Sequence, residues 1–467
     1  MATLSHLRQL SNLIADSVTA LERIAQETKT SVPDLDDAPS TYTPDAEVYG
    51  ATPEALKASR IIAGAGLQFA SLVRPPREVM FDVVHAPYLT AALRVCLEAN
   101  VTDILREAGP KLIADRLRLE TLNVQTARLM RLLASQHIYR EVSKDTFVNN
   151  RLSVILDTGK TVEELFASPE TKYHSPGFPA LYSFIMGFSA KGPPNLWEVI
   201  SNPETAFSGE VTDSATHRAW GLDVPMWVWY EQQGQDHERK FFEKALAAYN
   251  KLQPDRAIEE AYPWADLKPG SLVVDVGGGV GSAMLVLAKK HSHLRIIVQD
   301  NEKVTGDGLQ MWSNVFPEAV QSGRVTFQGH DFFKTQNVKD ASIFWMRYIL
   351  HDWSDDDAVK ILKELRAAAQ PNTVLVILDH LLPYTFRDPN TPPVLGNDAP
   401  EPLLPTYGAG NTMGYLEDIL MMVLLNGEER KLDNLSALLT RAGWKLQRAQ
   451  PVEGTTGFYV PVHAVPA

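Results

Sequence analysis

An α/β fold, built on an open and mostly parallel sheet with helices on both faces, is what the second half of this 467-residue chain predicts. Three observations carry that expectation. From Asp266 onward, short apolar β-branched runs alternate with helical periods, as strands joined by covering helices do. Residues 271–291 read as a buried strand, a turn with glycine at 277, 278, 279 and 281, and then a helix. A second apolar run at 295–299 ends in Asp300, placing an acid at the tip of the neighbouring strand.

The glycine turn sets the kind of ligand. Glycines there let the backbone take positive φ and let a ligand approach the main chain, while the helix beyond presents free N–H groups. A dinucleotide fingerprint would need its third glycine at 282, where Ser282 stands; the last glycine is Gly281. With Asp300 at the next strand tip, the pattern reads as a nucleoside site.

The remaining elements follow in chain order. Residues 1–30 carry a helical period (Leu4, Leu7, Leu10, Leu13, Ile14, Val18, Leu21, Ile24) and are expected to form an amphipathic helix in need of a partner. Residues 31–49 read as a linker. Helical patterns resume at 53–72, break at Arg74-Pro75-Pro76-Arg77 and continue through 88–100. Residues 101–150 predict helices at 102–108, 111–117 and 124–135, then a hairpin at 137–142 and 146–149, the shape of a winged helix. Its third helix holds Arg128 and Arg131 but also Leu129, Met130, Leu132 and Leu133, which suits a core. Residues 152–250 are helical and rich in aromatics, with Trp227 and Trp229 read as ordinary core. Sheet strands are expected at 272–276, 295–299, 324–328, 342–348 and 373–379, with two late strands near 444–448 and 458–463. The proline-rich stretch 383–405 is expected to be a long mobile loop before a Met-rich helix at 414–425. Met413, Met421 and Met422, beside Asp418, suit either a pad for a flat aromatic ligand or plain helix core.

Bulk properties narrow the class. With 45% hydrophobic and 22% charged residues the composition is that of a globular protein of two or three domains. A net charge of −13 weighs against nucleic acid as a partner, since that binding rests on neutralising phosphates. The single cysteine, Cys96, lies in an amphipathic helical pattern and is expected to be a buried thiol. Neither a signal peptide nor a membrane span is read from the chain, so a cytoplasmic location is expected.

Two motifs carry a family resemblance. Asp275-Val276-Gly277-Gly278-Gly279-Val280-Gly281 resembles the first motif of S-adenosylmethionine-dependent methyltransferases, and Met346-Arg347-Tyr348-Ile349-Leu350-His351-Asp352-Trp353-Ser354-Asp355 resembles the catalytic segment of plant caffeate-type and fungal small-molecule O-methyltransferases. The likeness spans roughly 45–465. It implies a Rossmann-like, seven-stranded methyltransferase sheet with its last pair antiparallel, and an N-terminal helical winged-helix dimerisation domain. The implied segments are 1–48 (helix and linker), 49–205 (dimerisation) and 206–467 (catalysis). It also implies S-adenosylmethionine as cofactor, no metal, a hydroxylated aromatic small molecule as acceptor, a homodimer, and neither nucleic acid nor membrane as partner.

Residue by residue, the resemblance assigns the cofactor to Gly277, Asp300, Asp331, Phe332 and Arg347, the last where plant members carry lysine. It makes His351 the general base, with Asp379 and Glu429 orienting its imidazole; the plant pattern has glutamate at the position of Asp379. A phenol (~10) and an ordinary histidine (~6.5) differ by about 3.5 pKa units, so deprotonation is expected to accompany methyl transfer. Two alternatives belong to other classes of function. One is a cofactor-retaining enzyme that catalyses dehydration or a pericyclic rearrangement; the other is a winged-helix DNA-binding regulator.

Overall fold

A computed structural model of the chain describes residues 5–38, 47–108, 111–112, 123–174, 177–387, 398–452, 455 and 457–467. They form two compact units, one running up to Asn195 and taking in Ala219–Leu252, the other holding Leu196–Arg218 and Gln253–Ala467. The chain thus crosses between units three times.

In the first unit Ser5 caps the helix His6–Thr28, and the apolar stripe of that helix packs on Pro53–Val73 through Leu21, Ile24, Ala55 and Ala58. The amphipathic helix that needed a partner in the sequence therefore finds one in Pro53–Val73. Arg74 is held extended by the proline that follows it, which ends one helix and lets the next, Pro76–Glu98, begin. This second helix leaves Met80, Phe81, Val83, Val84 and Tyr88 exposed. By length and composition it is long and apolar enough to cross a bilayer, although Arg77, Glu78 and Asp82 stand in its first two turns. Cys96 on the same helix is buried among Leu97, Ile104, Met130, Leu133 and Phe147, and burial pushes its thiol up to about 12.

Helices Val101–Ala108 and Asn123–Ser135 lead into a three-stranded sheet. Its strands are β1 (Lys111–Leu112), β2 (Arg140–Ser143) and β3 (Thr146–Val148), in the order β1-β3-β2. The helix expected at 111–117 is corrected at its start: Lys111 and Leu112 pair with Phe147 and Thr146, satisfying the edge that a two-stranded hairpin would leave open. Residues 113–117 lie outside the described residues. The aromatics of this unit pack on one another, Phe188 on Trp220 and Trp229, and Tyr230 on Phe242, as core rather than as a strand face.

The second unit is organised by a seven-stranded sheet: β4 (Leu272–Val276), β5 (Arg295–Asp300), β6 (Val325–Gly329), β7 (Ile343–Arg347), β8 (Val374–His380), β9 (Trp444–Ala449) and β10 (Tyr459–Pro466). The order is β6-β5-β4-β7-β8-β10-β9. Strands β4 to β8 pair in parallel, and β10 runs antiparallel to both β8 and β9. Side chains alternate between two cores. Val274, Val276, Phe344, Met346, Leu375 and Ile377 meet the helices Asp355–Ala368 and Leu432–Arg441; Val273, Ile343, Trp345, Val376 and Leu378 meet Ser282–Lys290 and Trp312 on the other face. Burial on both faces is why the central strands read as unbroken apolar runs. It also leaves the C-terminal ends of β4, β5, β7 and β8, with the loops beyond them, as the place where polar side chains gather. Of the proline-rich stretch, 388–397 lie outside the described residues. Its flanks are tied together by Arg387, which donates to the carbonyls of Ala399 and Leu403 at 2.6 and 3.0 Å.

Candidate active site

Strand β4 ends at Val276, and Gly277 and Gly279 beyond it hold φ of 71° and 58°, conformations that side chains disfavour. A Cβ on Gly277 would overlap Ile349, whereas one on Gly279 would meet open space. The Gly279 N–H donates to Oδ2 of Asp300 at 2.8 Å, and Oδ1 of Asp300 accepts from the Asn301 N–H at 2.8 Å. The acid at the tip of β5 and the glycine turn after β4 are therefore one hydrogen-bonded structure.

Around this turn stand the other residues assigned to the cofactor. Arg347, at the end of β7, donates from Nε to the Tyr459 hydroxyl at 2.6 Å and lies 5.0 Å from the centre of the Tyr348 ring. Asp331 accepts the Phe333 N–H at 2.9 Å and is exposed, while Phe332 packs on Phe333 and Trp353 and lies beside Gly277. Asp275 is buried in β4; burial raises its carboxyl to about 7 against the pull of Arg347, and its Oδ2 has no hydrogen-bond partner. A half-buried acid at a strand tip, an acceptor left over inside and an open backbone at Gly279 fit a ligand that brings hydroxyl and cationic groups, as S-adenosylmethionine does.

A second cluster forms where β7 gives way to a turn. Tyr348 holds φ 56°, rare for so bulky a residue and affordable only where the surroundings fix it; its N–H donates to Oδ1 of Asp379 at 2.7 Å. The short 3₁₀ turn Leu350–Asp352 then buries His351, 6% exposed. Nδ1 of His351 lies 2.6 Å from Oε1 of Glu429, and Nε2 lies 3.4 Å from Oδ1 of Asp352. Burial alone would lower the imidazole's pKa, but Glu429 and Asp352 outweigh it and raise the group to about 10. Glu429, although buried, is held down to about 2 by His351.

The loop after the helix Met413–Leu425 locks this turn in place. Asn426 ends the helix at φ 52°, the Glu428 N–H donates to the His351 carbonyl at 2.9 Å, and Asp418 accepts the Glu429 N–H at 2.9 Å. Arg430 donates to the carbonyls of Leu350 and Trp353 at 2.6 and 2.7 Å and pairs with Asp355 at 3.1 Å. Ser354 caps the helix Asp355–Ala368, and the three leading aspartates pair with Arg430, Arg441 and Lys360. On the helix itself Met421 is buried and Met413 and Met422 are partly so.

The structure thus brings His351 and Glu429 into direct contact and places Asp379 against the backbone of Tyr348. Asp379 makes no hydrogen bond to the imidazole and acts on it through charge. Sequence reasoning did not single out Asp352, Tyr348, Arg430 or His380 for this cluster. Asp352 adjoins His351 and Arg430 adjoins Glu429, which were the available signals.

Comparison with known proteins places the chain. Residues 205–395 match the model of an O-methyltransferase domain. The chain is 39% identical to 4-O-methyltransferase 1 of Phanerochaete chrysosporium over 475 aligned positions, 99% of this chain and 100% of the relative. Among solved structures it resembles that of a pericyclic reaction enzyme (TM-score 0.66, 18% identity, 98% of this chain and 100% of that one). It also resembles an O-methyltransferase from neocarzinostatin biosynthesis in complex with S-adenosyl-L-homocysteine and 1,4-dihydroxy-2-naphthoic acid (TM-score 0.59, 19% identity, 81% and 96%). These structural likenesses establish the fold. The chain belongs to the O-methyltransferase family, whose methyl donor is S-adenosylmethionine.

Proposed function

We propose that this O-methyltransferase acts on a phenolic hydroxyl of an aromatic small molecule, with His351 as the general base. The observation that carries the reading is the placement of His351: Nδ1 is committed to Glu429, which leaves Nε2 as the nitrogen that can take a proton from an acceptor. When bound, S-adenosylmethionine supplies a methyl group already activated on a sulfonium. Gly277, Asp300, Asp331, Phe332 and Arg347 would hold it at the ends of β4 to β7.

What is left to the protein is positioning and proton removal. The proton of the acceptor hydroxyl passes to Nε2, and the imidazolium so formed is stabilised by Glu429 at Nδ1 and by the charge of Asp379. An imidazole raised to about 10 stands close to a phenol's ordinary ~10, so the uphill gap expected for an unperturbed histidine closes. Asp379 serves by fixing Tyr348, and with it the turn that presents His351.

The aromatic acceptor draws support from the naphthoic acid in the neocarzinostatin enzyme. Purified protein with S-adenosylmethionine should methylate members of a panel of phenols, hydroxybenzoic acids and aromatic polyketides, read by mass spectrometry. Cofactor binding without transfer to any of them would overturn the proposal. The exposed apolar residues of Pro76–Glu98 favour a homodimer through the helical unit. Light scattering should give twice the chain mass at micromolar concentration, and Phe81→Glu should shift it toward one; a wild-type monomer would refute this.

A further inference from the structure

Behind Glu429 lies a second histidine that the reaction scheme leaves unused. His380, the last residue of β8, is buried, and its Nδ1 lies 3.6 Å from the same Oε1 of Glu429 that His351 contacts at 2.6 Å. Three polar atoms in this buried cluster lack a hydrogen-bond partner: Oε2 of Glu429 and both ring nitrogens of His380. Buried polar groups are nearly always paired, and a buried carboxylate with a single donor is under-satisfied. The His380 Nδ1 stands beside the oxygen that His351 already contacts, across a gap that a shift of several tenths of an ångström would close to a hydrogen bond. The ring is also fixed in orientation, meeting Tyr348 and Tyr459 edge to face at 5.8 and 5.9 Å.

We propose that His380 is a positioning residue that shares Glu429 with His351, presenting an Nδ1–H to the carboxylate and thereby keeping His351 free to accept a proton. The reasoning rests on reading His351 as the base. A base must stand without its proton before it acts, and in that state Glu429 is a buried anion facing only the Nδ1–H of His351. A donor from His380 stabilises that state more than the ion-paired one, because a hydrogen bond to an anion is strongest where the charge is least compensated. The effect is to lower the proton affinity of His351 relative to a site with Glu429 alone.

The other titratable and charged groups around the pair come from several elements. From the ends of β7 and β8 and the turn come Arg347, Asp352 and Asp379 with the Tyr348 hydroxyl, and from β10 the Tyr459 hydroxyl. From the helix Met413–Leu425 and its loop come Asp418, Glu428, Arg430 and Lys431. Of the described residues only His380 and His351 place a ring nitrogen within 4 Å of the Glu429 carboxylate.

Two measurements test the proposal, one of them independent of turnover. In wild-type protein labelled with ¹⁵N-histidine, the His380 resonance, assigned by its loss in His380→Asn, should show a protonated Nδ1. A bare Nδ1, with the proton on Nε2, would overturn the proposal whatever the enzyme methylates. In the pH profile of kcat/KM, His380→Phe should move the acidic limb to higher pH by about one unit, the weight of one hydrogen bond to a charged group. His380→Asn, which keeps an N–H near the Nδ1 position, should restore the limb. A uniform loss of rate with an unmoved limb would mark the residue as structural and refute the proposal. Should His380→Phe fail to fold, the nitrogen shifts of the wild type still decide.

Discussion

Gly427 runs so close to the backbone of His351 that a Cβ on it would overlap the His351 carbonyl oxygen, the same atom that accepts the Glu428 N–H at 2.9 Å. His351 and Glu429 are thus held by main chain as well as by their side-chain contact. Gly427→Ala has no flexible neighbour to push aside. It should cost about 1–3 kcal/mol of stability, the usual penalty of overpacking, and lower kcat at least tenfold by parting Glu429 from His351. Cofactor affinity should hold, because the glycine turn after β4 is untouched. Thermal unfolding, calorimetry and turnover together check this; an alanine variant with wild-type turnover would show that the contact is not needed.

Asp300 ties the tip of β5 to the glycine turn through the Gly279 N–H. Asp300→Ala removes both that tie and an acceptor for ligand hydroxyls, so binding of S-adenosylmethionine should weaken at least tenfold by calorimetry, in line with a loss of about 1.5–3 kcal/mol for a charged hydrogen bond. Unchanged affinity would place the nucleoside elsewhere.

How much of this was legible in the chain differs by element, for physical reasons. The central strands were visible because burial on both faces leaves unbroken β-branched runs such as Leu272–Val276, and the glycine turn because its positive φ values favour glycine over other residues. The antiparallel end of the sheet and the pairing of His351 with Glu429 came from the family resemblance, since no local pattern joins residues 78 positions apart. Asp379 shows the limit of that transfer. Its carboxylate ends on the Tyr348 N–H, a donor exposed by the positive φ of Tyr348, which is set by tertiary packing and leaves no mark in composition. The strand at Lys111–Leu112 is similar: two residues have no period to read, and only the open edge of β3 makes them a strand.

The His351 and Glu429 pair should write itself into the pH dependence of stability. The histidine is raised from 6.5 to about 10 on folding, so its contribution is complete below pH 6.5 and is lost as pH rises toward 10. The glutamate is lowered from 4.5 to about 2, so its contribution is complete above pH 4.5 and is lost as pH falls toward 2. The difference in unfolding free energy between wild type and Glu429→Gln should therefore be greatest between about pH 4.5 and 6.5 and shrink on both sides. In activity the same variant should move the acidic limb of kcat/KM to lower pH, because the carboxylate no longer holds the proton on the imidazole. Chemical denaturation across a pH series tests the first statement; a difference that grew steadily above pH 7 would contradict it.

The sharpest test falls on His351 itself. Its imidazole is buried against Glu429 and Asp352 and takes no part in the hydrogen bond that joins Asp300 to the glycine turn. His351→Ala should accordingly leave S-adenosylmethionine binding within a few-fold of wild type while turnover falls by about 10² to 10⁴, the usual weight of a positioned general base. Removing the ring also strands Glu429 as a buried charge, so stability should drop by about 3–5 kcal/mol near pH 6. His351→Gln, which keeps a polar group beside the carboxylate, serves as the better-folded companion. The rate loss should shrink for acceptors whose phenol is already acidic, such as nitrophenols, because less proton removal is then asked of the protein. Wild-type rates on ordinary phenols in either variant would remove His351 from the role of base. A wild type that binds the cofactor yet methylates no hydroxylated aromatic would instead move the reading toward a rearrangement catalysed on the same fold.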